Sequence, residues 1–362
     1  MIPISKPIIS ERDIQCVTDA VSSGWVSSLG PYLQEFEERF AAYCGVKHCV
    51  STANGTVAIH LALKALGIGP GDEVIIPDLT FAATANAVIL SGAKPVIVDV
   101  RDTDWCLDPA LVRANITSKT KAIIPVHLYG HPCEMDNLQS IANEYNLKII
   151  EDAAEAHGAQ YHGRRAGSLG DCATFSFYGN KIITTGEGGC LTTDSDTIAE
   201  RARLLRDHGM SKERRYWHTE VGYNYRMTNL QGALGVAQLE KIDYFMQERE
   251  RILNTYRYYL EPHGLFLNPH LEGCKPVNWL TCVLIPKLNR IDRDGILVQL
   301  KEQGIETRPF FYPLTAMPVY EGEHNPISQD LSVRGLNLPT YPELSDSLIK
   351  HISDTLLKVI KH

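Results

Sequence analysis

The stretch Gly170 to Lys181, running on to Gly186-Glu187-Gly188-Gly189, concentrates groups that could do covalent chemistry. Its centre, Cys172 to Phe177, reads as a buried strand with Lys181 just beyond its end. Ligands of open α/β sheets sit at strand ends. A lysine there, flanked by Ser176 and glycines, can be desolvated, and desolvation favours the neutral amine. A neutral amine attacks a carbonyl, as Schiff-base lysines do. The plain alternative is a surface lysine in a loop.

Leu147 to Asp152 is a short apolar run ending in two carboxylates. It reads as a parallel strand whose C-terminal end presents Asp152. An aspartate so placed can pair with a protonated pyridine nitrogen, and a Schiff-base lysine with an acidic pyridinium partner marks pyridoxal-phosphate (PLP) sites. Asp152 also suits a helix N-cap for Ala153-Ala154-Glu155-Ala156, and both readings stand. Upstream, His48 to Thr52 is β-like. Ala53-Asn54-Gly55-Thr56 then turns into the apolar run Val57 to Leu66, which stops at Gly67. A small-residue turn feeding a buried helix offers N–H groups to a phosphate, with Gly55 and Thr56 as the expected contacts. Neither G-x-G-x-x-G nor G-x-x-x-x-G-K-[ST] occurs, which counts against dinucleotide or NTP binding.

A third constellation is Arg214-Arg215-Tyr216-Trp217-His218, followed by Gly222 to Asn229. Arginines suit diphosphates and carboxylates, and aromatic rings suit bases and sugar faces. The alternative is a solvated loop with a helix cap at Thr228.

The elements that must position these groups follow from periodicity. From about Val46 to Thr193, short apolar runs (Val74–Pro77, Pro95–Asp99, Ala122–His127) alternate with helical patterns (Ala82–Leu90, Met135–Tyr145). Such alternation predicts an α/β fold with a mostly parallel sheet covered by helices. Asn229 to about Leu260 reads as one long helical stretch with an apolar stripe. The domain join is placed within it, giving a large domain 1–246 and a small α+β domain 247–362. The latter reads as strand Leu280–Ile285, helix Asp292–Gln303, strand Ile305–Phe311 and a final helix Ser345–Ile360.

Composition is that of a globular chain, 44% hydrophobic and 22% charged. A net charge of −8 argues against a general nucleic-acid binder. No apolar run reaches the ~18 residues of a membrane span, and the first residues lack a signal-peptide core. Nine cysteines without C-x-x-C pairs fit a reducing cytoplasm. His131-Pro132-Cys133 and Cys44/Cys49 lack metal-site spacing, so no metal is assigned.

Taken together, these segments resemble the PLP-dependent nucleotide-sugar aminotransferases of the DegT/DnrJ/EryC1/StrS group, which share the aspartate-aminotransferase-like fold (fold type I). The resemblance extends over nearly the whole chain. It includes Ser23 to Ser28, Asn54 to Ala58, Gly71 to Ile75, Val126 to Gly130, Ile150 to Ala156, the Lys181 segment, Arg215 to His218, Gly222 to Asn229, Ile305 to Pro309 and Gly335 to Pro339. It implies that Lys181 is the Schiff-base and proton-transfer lysine and that Asp152 holds the pyridinium. Gly55, Thr56 and Ser176 hold the phosphate, with Asn224 from a partner subunit, and Phe81 stacks on the cofactor ring. Arg226 is implied for the amino donor's carboxylate, and Ser27, Trp217 and Arg308 for substrate. Many of the group carry glutamine at the Glu155 position, facing the cofactor's phenolic oxygen. An ionised Glu155 would repel a phenolate, so it must be protonated there or point elsewhere. Some relatives are dehydratases with histidine in place of the lysine, and Lys181 favours amino transfer.

The implied reaction moves an amino group from L-glutamate to C4 of a nucleotide-linked 4-keto-6-deoxyhexose, in a cytoplasmic homodimer. The alternatives are a 3-keto nucleotide sugar or keto-cyclitol as acceptor, and a PLP-binding regulator without turnover.

Overall fold

The computed structural model describes residues 1–360. Its centre is a seven-stranded sheet built from β1 (His48–Thr52), β2 (Glu73–Pro77), β3 (Lys94–Val98), β4 (Thr120–Ile123), β5 (Lys148–Asp152), β6 (Cys172–Ser176) and β7 (Gly189–Thr193), in the order β1-β7-β6-β5-β4-β2-β3. Pairing is parallel from β6 through β5, β4 and β2 to β3. Only β7 runs against both its neighbours. The strands read as near-continuous apolar runs because helices cover both faces. On one face Ile59, Leu61, Leu63 and Val88 pack on Val50, Ile76 and Leu191. On the other, Phe36, Phe40, Phe175, Phe177 and Phe245 form an aromatic core with edge-to-face contacts, Phe40 to Phe175 at 5.0 Å among them.

A second sheet of four short strands, in the order Phe266–Leu267, Thr281–Leu284, Gly335–Leu338, Arg308–Pro309, packs with helices Arg290–Glu302 and Asp346–Val359. Ile252, Val283, Leu300, Leu336 and Ile352 fill its core. This α/β architecture, with a mostly parallel main sheet, agrees with the predicted fold class.

Three readings need correction. The expected single helix from Asn229 to Leu260 is two, Asn229–Leu239 and Ile242–Leu260. The break falls where side chains tie the chain to the N-terminal helices. Glu240 pairs with Arg12 at 3.3 Å and Arg39 at 3.2 Å, while Lys241 reaches Ser10 at 3.0 Å and pairs with buried Asp13. Apolar periodicity carries through such a break because both helices bury the same side. Second, no helix follows Asp152. Residues 153–156 form a turn closed by Ala156 N–H on Ala153 O at 2.9 Å, and Asp152 accepts the Ala154 N–H at 3.2 Å. Third, the expected strand Ile305–Phe311 is interrupted: Ile305 makes a single parallel bridge to Ile2, and Arg308–Pro309 pairs with Leu336–Asn337. Pro309 brings no N–H to the ladder.

All nine cysteines are free and buried. No described helix is long and apolar enough to cross a membrane.

Candidate active site

The site forms at the C-terminal ends of β1, β5 and β6, where an α/β sheet presents ligand groups. β5 ends in Asp152, and β6 ends in Ser176. Beyond β6 the chain turns at Tyr178, whose carbonyl accepts the Lys181 N–H at 2.9 Å. It then folds back, with the Thr185 N–H on Phe177 O at 2.9 Å and the Phe177 N–H on Gly188 O at 2.8 Å. That loop holds Lys181 with only 12% of its side chain exposed, its Nζ 3.7 Å from Glu155 Oε1.

Burial pulls the Lys181 amine below its ordinary value, while Glu155 and Asp152 pull the other way and Arg308 lowers it further. Burial also raises Asp152, against the Thr84 hydroxyl, which donates to its Oδ2 at 2.7 Å, and the Ala154 N–H. Glu155 is pushed up to about 7 by burial, with Lys181 and the Tyr129 N–H opposing. Behind them His157 is wholly buried against Phe40, Phe175 and Phe177, and among the described residues neither ring nitrogen has a hydrogen-bond partner. Burial lowers it to about 3, so it is a neutral wall.

The helix Gly55–Ala65 begins beside Ser176. Asn54 caps it by accepting the Val57 N–H at 3.0 Å. The first N–H groups of a helix have no partner inside it and favour an anion. A Cβ on Gly55 would lie 2.8 Å from the Ser176 Cβ, so glycine alone permits this approach of turn to strand. Phe81, 60% exposed, has its ring 5.9 Å from that of Phe311.

PLP suits this residue set. A buried amine, a carboxylate oriented by a hydroxyl, and a helix N-terminus joined to a serine match its aldehyde, ring nitrogen and phosphate.

The remaining candidates have other contacts. Ser27 is exposed, and its carbonyl accepts the Asn229 N–H at 2.6 Å. Trp217 is exposed under the Arg214 guanidinium, 4.4 Å from the ring centre. Asn224 is exposed and bridges to Asp207, while its neighbour Tyr225 accepts the Ala53 N–H at 2.8 Å beside the phosphate turn. Arg226 is ion-paired with Asp207. Arg308 pairs with Glu306 at 3.7 Å. The fold thus gathers Lys181, Asp152 and Glu155, and separately Gly55 with Ser176. Ser27, Trp217, Asn224 and Arg226 lie on more open segments.

Sequence reasoning missed Thr84, Tyr129 and Trp279. Tyr129 lies within the segment Val126 to Gly130, but its left-handed backbone, φ 51°, has no sequence signature. Trp279, isolated before a strand, had no signal. Away from this site, Asp104, Cys106 and His131 bring ligand-type atoms within 4.8 Å of one another, a convergence spacing could not reveal. Arg101 already engages the Asp104 carboxylate there.

Fold and site together define a PLP-dependent aminotransferase of fold type I. Residues 7–357 match the DegT/DnrJ/EryC1/StrS aminotransferase family. The chain is 47% identical to a GDP-perosamine synthase of Caulobacter vibrioides over 99% of this chain and 98% of that protein. A GDP-perosamine synthase of Vibrio cholerae is 41% identical over 98% of each. Among solved structures, Spr1654 from Streptococcus pneumoniae in its PMP-form superposes with a TM-score of 0.95 at 28% identity, covering 100% of this chain and 99% of that one. This chain therefore belongs to the DegT/DnrJ/EryC1/StrS aminotransferase family.

Proposed function

We propose that this enzyme transfers the amino group of L-glutamate to C4 of a nucleotide-linked 4-keto-6-deoxyhexose, forming a GDP-perosamine-type product for surface polysaccharide. The observation that carries the reading is the enclosed Lys181 amine, 3.7 Å from Glu155 and within the field of Asp152. The names of the relatives, GDP-perosamine synthases at 47% and 41% identity, support the acceptor. They do not favour a 3-keto sugar, a keto-cyclitol or a regulator.

PLP, when bound, supplies an aldehyde that joins an amine and a ring that withdraws electrons from the adjoining carbon. The chain's own residues do the rest. Lys181 Nζ would be the amine that holds the aldehyde carbon and the base that accepts the donor's α-proton. Asp152, oriented by Thr84, would keep a proton on the ring nitrogen. Glu155, with its raised proton affinity, would donate to the phenolic oxygen. Gly55, Thr56 and Ser176 would hold the phosphate, joined by Asn224 of a second copy, and Phe81 would cover the ring. Arg226 must exchange Asp207 for the donor's carboxylate. Ser27, Trp217 and Arg308 face the sugar nucleotide. One site serves donor and acceptor in turn, which makes the kinetics ping-pong.

We further assign a homodimer, because Asn224 and Arg226 would serve a neighbour's site, and Trp25, Val26 and Leu29 are exposed apolar residues on one short segment. The unpaired buried cysteines favour the cytoplasm. The domain division at 246/247 is supported by the helix Ile242–Leu260, whose Phe245 joins the main core and whose Ile252 and Leu253 join the C-terminal one.

A panel of 3-keto and 4-keto sugar nucleotides with glutamate as donor, with product configuration read by NMR, tests the reading. Amination at C4 supports it. Turnover confined to 3-keto sugars or cyclitols sinks it.

A further inference from the structure

Trp279 comes from the C-terminal half, just before the strand Thr281–Leu284, yet it is built into the catalytic centre. It is 4% exposed, and its indole face lies 4.1 Å from Lys181 Nζ. The indole is fastened at its edge: Nε1–H donates to Asn180 O at 2.8 Å, and Asn180 is the residue next to the lysine. Its backbone N–H donates to Tyr129 O at 3.1 Å. Its ring runs nearly parallel to that of Tyr129, 15° apart with centres at 6.2 Å.

Tyr129 in turn serves Glu155. Its N–H donates to Glu155 Oε2 at 2.8 Å, leaving Oε1 for Lys181. A tyrosine at φ 51° is a backbone outlier that surrounding structure must hold. Here the conformation aims that N–H at the carboxylate. The contacts close on themselves, from Lys181 to Glu155, Tyr129, Trp279, Asn180 and back to the lysine.

We propose that Trp279 and Glu155 form a receiving site for the ε-ammonium of Lys181, occupied whenever that lysine is released from its carbonyl partner, with Trp279 as a positioning residue. This rests on the reading of Lys181 as the lysine that joins and leaves the cofactor. A lysine that leaves a carbonyl and takes up a proton becomes a cation in a buried place, where an uncompensated charge is unfavourable. A protonated lysine favours the ionised form of Glu155, and at 3.7 Å that carboxylate is too far for a short hydrogen bond, so it balances the charge only in part. The indole face supplies the remaining attraction through its quadrupole without adding a second base. It also keeps the amine beside the cofactor pocket.

Of the other groups around this amine, Asp152 favours its protonated form and Arg308 disfavours it, neutral His157 lies behind, and Lys6 and Arg249 line the same small cavity. All are unchanged by substitution at 279, so the effect of the indole can be isolated.

The test uses the full-length protein in two states in which the lysine amine is free: without cofactor, and loaded with pyridoxamine 5′-phosphate. Acetic anhydride labelling across pH 6–11, read by mass spectrometry at Lys181, gives its titration midpoint. In Trp279→Leu that midpoint is expected about 0.4 to 1.5 units lower, as loss of a desolvated cation–π contact requires. Trp279→Phe keeps an aromatic face in the same place and should fall between the two. Glu155→Gln should lower the midpoint independently. A core-packing role alone would leave the midpoint unmoved while lowering thermal stability. Equal midpoints for Trp, Phe and Leu would overturn the proposal, and so would a rise. If the Leu variant does not fold, the Phe variant decides: a midpoint equal to wild type refutes. Because no sugar and no amino donor is present, failure of the substrate panel leaves this result standing, and the reverse also holds.

Discussion

Glu155 divides its carboxyl between two partners, with Oε2 accepting the Tyr129 N–H at 2.8 Å and Oε1 lying 3.7 Å from Lys181 Nζ. Burial raises its affinity for a proton, so this residue decides how the centre responds to pH near neutrality.

The sign follows from which state binds the proton more tightly. Glu155 titrates at about 7 in the fold against 4.5 ordinarily. Its contribution to stability is therefore full below pH 4.5 and is lost as pH rises to about 7. Those 2.5 units correspond to ~3 kcal/mol at most. Denaturant unfolding of cofactor-free protein at pH 5 and pH 8 should show Glu155→Gln gaining on wild type at the higher pH. His157 works in the opposite direction, since a depressed histidine loses stability as pH falls below 6.5, but it is common to both proteins and cancels. A constant difference across the range would contradict the assignment.

Lys181→Ala should remove both the anchoring amine and the proton carrier. Turnover is expected to fall at least about 10³-fold. Borohydride reduction of wild type, followed by peptide mapping, should place the pyridoxyl mass on residue 181. Recovery of the adduct at another lysine would rule out this role.

Thr84→Val deletes the hydroxyl that donates to Asp152 at 2.7 Å while preserving shape. A hydrogen bond to a charged group contributes ~1.5–3 kcal/mol, so kcat should drop roughly 10- to 100-fold with the cofactor still bound. Steady-state kinetics beside the cofactor's absorbance separate the two quantities. Wild-type kcat in the variant would show that Asp152 needs no such support.

Gly55→Ala places a methyl 2.8 Å from the Ser176 Cβ. Turn and strand must then separate, at a cost of ~1–3 kcal/mol. Equilibrium dialysis should show cofactor affinity weakened by roughly 5- to 150-fold, with the main sheet intact by circular dichroism. Unchanged affinity would mean the phosphate is held elsewhere.

Much of the fold was legible because its signals are local. The runs around Val74, Ile97 and Ile150 predicted strands that the structure contains, and Met135–Tyr145 is a helix with the expected ends. Where the reading failed, a distant partner had intervened. The helix break at Glu240 and Lys241 depends on Arg12, Arg39 and Asp13, more than two hundred residues away. Asp152 could be read as a cap or as a ligand group. In the structure one oxygen accepts the Ala154 N–H and the other the hydroxyl of Thr84, sixty-eight residues upstream, a partner that no local pattern predicts.

The amino-acid sequence by itself determined which reactive groups this protein owns and in what local setting: a serine ending one strand with a lysine beyond it, an aspartate ending another, a glycine opening a helix. Those choices rest on short-range geometry that periodicity and turn chemistry encode. Only the tertiary structure decided how these groups behave. The proton affinities of Glu155 and Lys181 depend on exclusion of water and on charges brought together from separate segments. The indole beside the lysine arrives from ninety-eight positions along the chain. Burial and through-space contact are properties of the folded arrangement, and no local pattern carries them.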